Sequence, residues 1–150
     1  MREQDWANEL RDDGDDALRA TDIHELSAPT ASVTPRLIYG SADEFLREFL
    51  RHAYSRPVGG GNARNRWAAE WWHSAEAVMR LEAMWRSWEH LRRDPATGMS
   101  VWWLQHADPH MAILLSPDGP FAKSEDRSIV GEPLPYARPP EALFPDERYI

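Results

Sequence analysis

Apolar positions in this chain cluster into periodic blocks between Leu37 and Phe121, and the spacing within each block predicts its structure. Phe45, Leu46, Phe49, Leu50 and Ala53 recur at helical intervals and leave Arg47, Glu48 and Arg51 on the other side. Ser41-Ala-Asp-Glu44 ahead of them has the capping-box form, so a helix is expected from Ala42 to Tyr54. Pro57 and the Gly59-Gly60-Gly61-Asn62 run end it in a loop. A longer helix follows from Ser74 to Arg93, with Ala77, Val78, Leu81, Met84, Trp85, Trp88 and Leu91 on one face. Ser74 suits the N-cap and Glu76 the first turn. Glu76–Arg80, Glu82–Arg86 and Glu89–Arg93 are spaced i,i+4 with the acid first, a pattern no strand would carry.

Asp94-Pro95 stops that helix, and Val101, Trp102, Trp103, Leu104 and Ala107 predict another from about Ser100. Asp108-Pro109 has the form of an N-cap followed by proline in the first helical position, which opens a fresh helix over His110 to Leu115. A strand over Met111 to Leu115, turning through Ser116-Pro117-Asp118-Gly119, fits the short apolar run equally well. The flanks differ in kind. Residues 1–36 are acidic and poor in periodic apolar positions, as a disordered arm would be. Residues 123–150 carry Pro133, Pro135, Pro139, Pro140 and Pro145 and predict an extended tail, anchored if at all by Leu134, Tyr136, Leu143 and Phe144. The fold class expected is therefore mainly α: one helical, tryptophan-rich domain over 37–122 between an acidic arm and a proline-rich tail.

Composition narrows the function classes. The 150 residues suffice for one domain, and no apolar run approaches the roughly 18 residues of a membrane span. The N-terminus MREQDWANELRDDGDD has no apolar signal core, and zero Cys rules out disulfides and thiolate metal sites. A cytoplasmic protein without membrane insertion is the simplest expectation. The net charge of -8 disfavours non-specific nucleic-acid binding, although residues 36–66 alone carry +3. Sixteen Arg stand against the single Lys123, a bias that GC-rich coding would produce by itself.

The strings WEHLR, DPATGMSVWW, HADPHM and DGPF, set within residues 67–121, carry a resemblance. The chain resembles domain-of-unknown-function family 4913, closely over residues 67–121 and in outline from residue 37. The resemblance implies a helical architecture in an actinobacterial protein carried on plasmids, phages or conjugative elements. It implies no activity. Relatives with Cys near the positions of Ala68 and Ser124 could hold a metal there, which this chain could not.

Three constellations could carry chemistry. His106 and His110, i,i+4 around Asp108, would share a face on one unbroken helix and could ligate a metal in a hydrolase or nuclease. Against this, Pro109 should interrupt the helix, Asp108 is explained as a cap, and no Glu follows His106. Trp67, Trp71, Trp72, Trp85, Trp88, Trp102 and Trp103 could build an aromatic platform or a core. In the adjacent pairs Trp71-Trp72 and Trp102-Trp103 the side chains diverge by about 100° on a helix, so one ring of a pair could face a partner. Arg47, Arg51, Arg56, Arg64 and Arg66 flank the glycine loop, where they could meet phosphate, nucleic acid or an acidic protein. Glu89, His73 and His90 read as surface or boundary residues. No nucleophile elbow, dinucleotide fingerprint or other cofactor motif is present, so no cofactor is expected. The favoured expectation is a non-enzymatic interaction or accessory protein that binds a protein partner through Trp71, Trp72, Trp102, Trp103, Arg47 and Arg51.

Overall fold

The computed structural model describes residues 35–60 and 64–150. The expected acidic arm lies outside the described residues but for its last two positions, as do Gly61 and Asn62 of the glycine loop. Among the described residues the regular structure is helical, and the only strand-like pairing is one antiparallel bridge between Val58 and Ser128. No described helix is long and apolar enough to cross a membrane.

Helix α1 runs as α-helix over Ala42–Phe45, widens to a π turn over Leu46–Leu50, and closes over Arg51–Ala53. Half of the capping box forms: Ser41 Oγ accepts from Glu44 N at 3.1 Å, while the Glu44 carboxylate takes Arg148 at 2.6 Å. The π turn is defined by Arg51 N donating to Leu46 O, one residue beyond the α spacing. Its extra residue keeps Phe45, Leu46 and Leu50 all fully buried, which a strict 3.6-residue period would do less well.

Helix α2, Ala75–Leu91, is capped by Ser74, whose side chain accepts from Ala77 N. It buries Ala77, Leu81, Met84 and Trp85, and partly buries Val78, Trp88 and Leu91, so the face read from periodicity is the face used. Glu76–Arg80 and Glu82–Arg86 close at 2.9 and 3.4 Å. The third acid departs from expectation. Glu89 is no surface residue but 6% exposed, and it bonds Arg92 rather than Arg93. Its carboxylate also accepts from the backbone N–H of Ile38 and Tyr39, both at 2.9 Å, so it fixes the chain just ahead of α1.

After α2 the Asp94 carboxylate accepts from Ala96 N and Thr97 Oγ1 at 3.0 Å, and these bonds hold its pKa below the usual carboxylate value. Gly98 then passes so close to Leu91 O that a Cβ would sit 1.9 Å from it. Helix α3 follows as Gly98–Trp102, a π turn over Trp103–Ala107, and Asp108–Leu114. Of the two readings open for Met111 to Leu115, helix holds through Leu114 and the strand does not form. One expectation is corrected: Asp108 is not an N-cap, since it has α dihedrals and its N–H donates to Trp103 O within the helix. The π turn explains how the helix survives Pro109. Proline lacks the N–H and crowds the carbonyl four residues back, and a widened turn just before it relieves both.

Residues 123–150 are irregular apart from a 3-10 turn over Glu147–Tyr149, and several of them pack on the helices. Leu134 is fully buried, donates its N–H to Arg51 O at 3.0 Å, and accepts from Arg51 Nε at 2.9 Å. Tyr136 donates to Asp43 at 2.6 Å, and Phe144 stacks on Trp71 at 4.9 Å. Three buried indoles tie these parts together. Trp67, Trp85 and Trp102 donate to the carbonyls of Pro135, Tyr39 and Met84, at 3.1, 3.1 and 3.0 Å.

Leu134→Ala should therefore lower unfolding free energy in urea by about 2–5 kcal/mol, as for any fully buried leucine. A loss below about 0.5 kcal/mol would show that the segment is peripheral to the core.

Candidate functional site

The structure turns Asp108 and His110 to different partners. Asp108 Oδ1 accepts from Tyr54 OH at 3.0 Å, across to the end of α1. His110 turns toward α2, where its Nδ1 lies 3.0 Å from Arg80 Nη1. Because a guanidinium can only donate, Nδ1 must be the acceptor, and the ring proton sits on Nε2. Burial, then Arg80 and His106, hold the His110 pKa below the ordinary histidine value. Among the described residues no three His, Asp or Glu side chains gather as metal ligands would.

Four of the five arginines near the glycine loop are engaged by the chain itself. Arg47 reaches Asp43 at 2.7 Å and Glu48 at 3.0 Å. Arg51 bonds the Leu134 carbonyl and lies 5.5 Å from the Tyr136 ring centroid. Arg56 covers Tyr54 at 4.6 Å, and Arg66 reaches toward the Ser124 carbonyl. Arg64 is exposed.

The tryptophan pairs divide inward and outward. Trp71 and Trp102 are fully enclosed, which makes them core residues and takes them out of any contact surface. Trp72 and Trp103 are half-buried. Trp103 is held between Tyr54, stacked at 5.8 Å, and Trp102, edge-on at 5.0 Å. Trp72 stands differently. A 3-10 turn over Trp71–His73 sets the two indoles of the pair edge-to-face at 86°, so Trp71 enters the core as Trp72 turns to the surface. There Trp72 lines a cleft of about 270 Å³ with Val78 and Trp85 of α2 and with Leu143, Phe144 and Pro145. Ser41, Glu82 and Glu147 supply its polar rim.

Arg86 organises that rim. Its guanidinium lies 4.7 Å from the Trp85 ring centroid, binds Glu147 through both terminal nitrogens at 2.8 and 3.1 Å, and approaches Glu82 at 3.4 Å. A second cleft, of about 530 Å³, opens between residues 68–74 and 120–126. Two of its polar groups serve the backbone: Asp126 accepts from Ala69 N at 2.8 Å, and Ser124 donates to Trp67 O at 2.7 Å.

Compared with known families, the chain matches Domain of unknown function (DUF4913) over residues 39–140. The protein belongs to DUF4913. No curated protein and no solved structure matches it. The DUF4913 span takes in the floor of the cleft, from Ser41 through Trp72 to Trp85, and stops before the wall at Leu143 to Glu147. That wall is what sequence reasoning missed as part of a site. Leu143 and Phe144 stand out as apolar residues in a proline-rich stretch, but nothing local says which indole they meet.

His110 gives a pH prediction for this DUF4913 domain. A histidine whose folded pKa is depressed adds stability that is complete above its unfolded value and is lost on acidification below about pH 6.5. In an NMR titration the His110 midpoint should fall below the ordinary value, and Arg80→Gln should recover part of the shift, with the larger share, from burial, remaining. A midpoint at or above the ordinary value would contradict the packing described.

Proposed function

We propose that this DUF4913 chain is a non-enzymatic interaction protein that docks a protein partner in the Trp72 cleft, as an accessory factor of a plasmid, phage or conjugative element. The observation that carries the reading is the half-buried Trp72 ring beside an open, mostly apolar cleft, in a fold that encloses its neighbour Trp71. Indoles held on a rigid support and partly open to solvent are the anchors on which interfaces concentrate their energy. The residues with catalytic potential are engaged elsewhere, Asp108 with Tyr54 and His110 with Arg80. The resemblance to proteins of mobile elements supplies the setting.

Affinity capture with the full chain, from a lysate of cells carrying the element, tests this against two variants. Trp72→Ala should weaken the captured complex by about 30-fold or more, as loss of an anchor does. Met79→Ala, at a residue 71% exposed and away from the cleft, should leave capture unchanged. Equal capture by Trp72→Ala and the wild type, with both folded by circular dichroism, would overturn the reading.

A further inference from the structure

We infer that the Trp72 cleft recognises an arginine side chain, presented by an extended segment of the partner; the inference rests on the docking reading above. The cleft brings the Trp72 indole together with the Glu82 and Glu147 carboxylates, and a guanidinium binds an indole by stacking and a carboxylate by paired hydrogen bonds. The chain already shows this chemistry at the rim, where Arg86 lies over Trp85 with Glu147 gripping both of its terminal nitrogens.

Charge around the cleft remains unbalanced after that pairing. Glu82 and Glu147 share the single guanidinium of Arg86, and just behind them Glu44 and Asp146 share that of Arg148. Glu82 has the most capacity left. Among the described residues its contact is one ion pair with Arg86 at 3.4 Å, and a carboxylate can accept from several donors. Glu82 and Trp72 line the same cleft, so an incoming guanidinium would meet an indole and a carboxylate together. Val78 and Leu143 on the cleft walls would take apolar neighbours of the arginine. A lysine would satisfy the charge but neither the stacking nor the two-point bonding.

The test uses the full-length protein and the capped peptide acetyl-Leu-Arg-Leu-amide, followed by NMR at the Trp72 indole N–H. The arginine peptide should give saturable shifts in the millimolar range, weakened by added salt. Replacing its arginine with leucine, or Glu82 with Gln in the protein, should weaken binding about tenfold or more. The lysine peptide should bind more weakly than the arginine peptide. Equal binding by the leucine or lysine peptide, an unchanged affinity for Glu82→Gln, or no shift at about 10 mM peptide would each overturn the arginine assignment. Failure here is separable from failure of the docking reading. If Trp72→Ala loses the captured partner while Glu82→Gln retains it, docking stands and the arginine assignment falls.

Discussion

A buried indole gains by finding an acceptor for its N–H, and in this chain that preference links segments that no secondary structure joins. Trp102 is satisfied by Met84 O of α2, Trp85 by Tyr39 O ahead of α1, and Trp67 by Pro135 O in the C-terminal segment. Each bond contributes only about 0.5–1.5 kcal/mol net, but each buried indole removes roughly 150–250 Å² from water, about 4–6 kcal/mol at 25 cal/mol per Å². The area drives burial, and the N–H dictates where the neighbouring backbone must lie. Trp71 and Trp88 show which term wins, since both bury the indole nitrogen without a partner among the described residues. That omission costs about 1–3 kcal/mol per group, less than the area each ring gains.

The cleft is a consequence of those constraints. With Tyr39 and Pro135 fixed by Trp85 and Trp67, Asp43 of α1 receives both Tyr136 and Arg47. The C-terminal segment must then continue past Trp71, where Phe144 stacks, before Glu147 reaches Arg86 and Arg148 reaches Glu44. That path leaves a gap beside Trp72, because the 3-10 turn has already sent the neighbouring ring into the core. The site and the fold draw on the same seven indoles of the described residues: Trp67, Trp71, Trp85 and Trp102 are fully buried, whereas Trp72, Trp88 and Trp103 are only partly so.

What could be read from the sequence follows the range of the interactions involved. Helix α2 was legible because its cap, its apolar face and two of its ion pairs are all set within four residues. Glu89 was misplaced because charge predicts exposure, and only the distant N–H groups of Ile38 and Tyr39 make its burial tolerable. Asp108-Pro109 looked like a helix start because local rules give that pair one meaning, whereas a π turn gives it another inside a helix. The partition of each tryptophan pair was illegible for the same reason. It depends on turns of 3-10 and π geometry, which change the angle between neighbours and leave no mark in hydrophobic periodicity. The family resemblance correctly named DUF4913, and the helical architecture it implied is present, yet the cleft wall lies beyond the matched residues.

The arginines complete the physical account. An Arg-rich chain invites a nucleic-acid reading, yet Arg47, Arg51, Arg56, Arg86, Arg92 and Arg148 each turn to a carboxylate, a carbonyl or an aromatic face of the chain itself. A guanidinium held this way stabilises the fold and contributes little attraction for a phosphate. The acids outnumber the basic residues by eight, and most of that excess, -6, is carried by residues 1–26. The field of such a chain repels nucleic acid and draws in basic partners, speeding their encounter at low ionic strength. Steering of that kind gives no specificity unless a short-range site completes it. The Trp72 cleft has the complementary character, with an indole for contact and carboxylates of the sign that the whole chain shares.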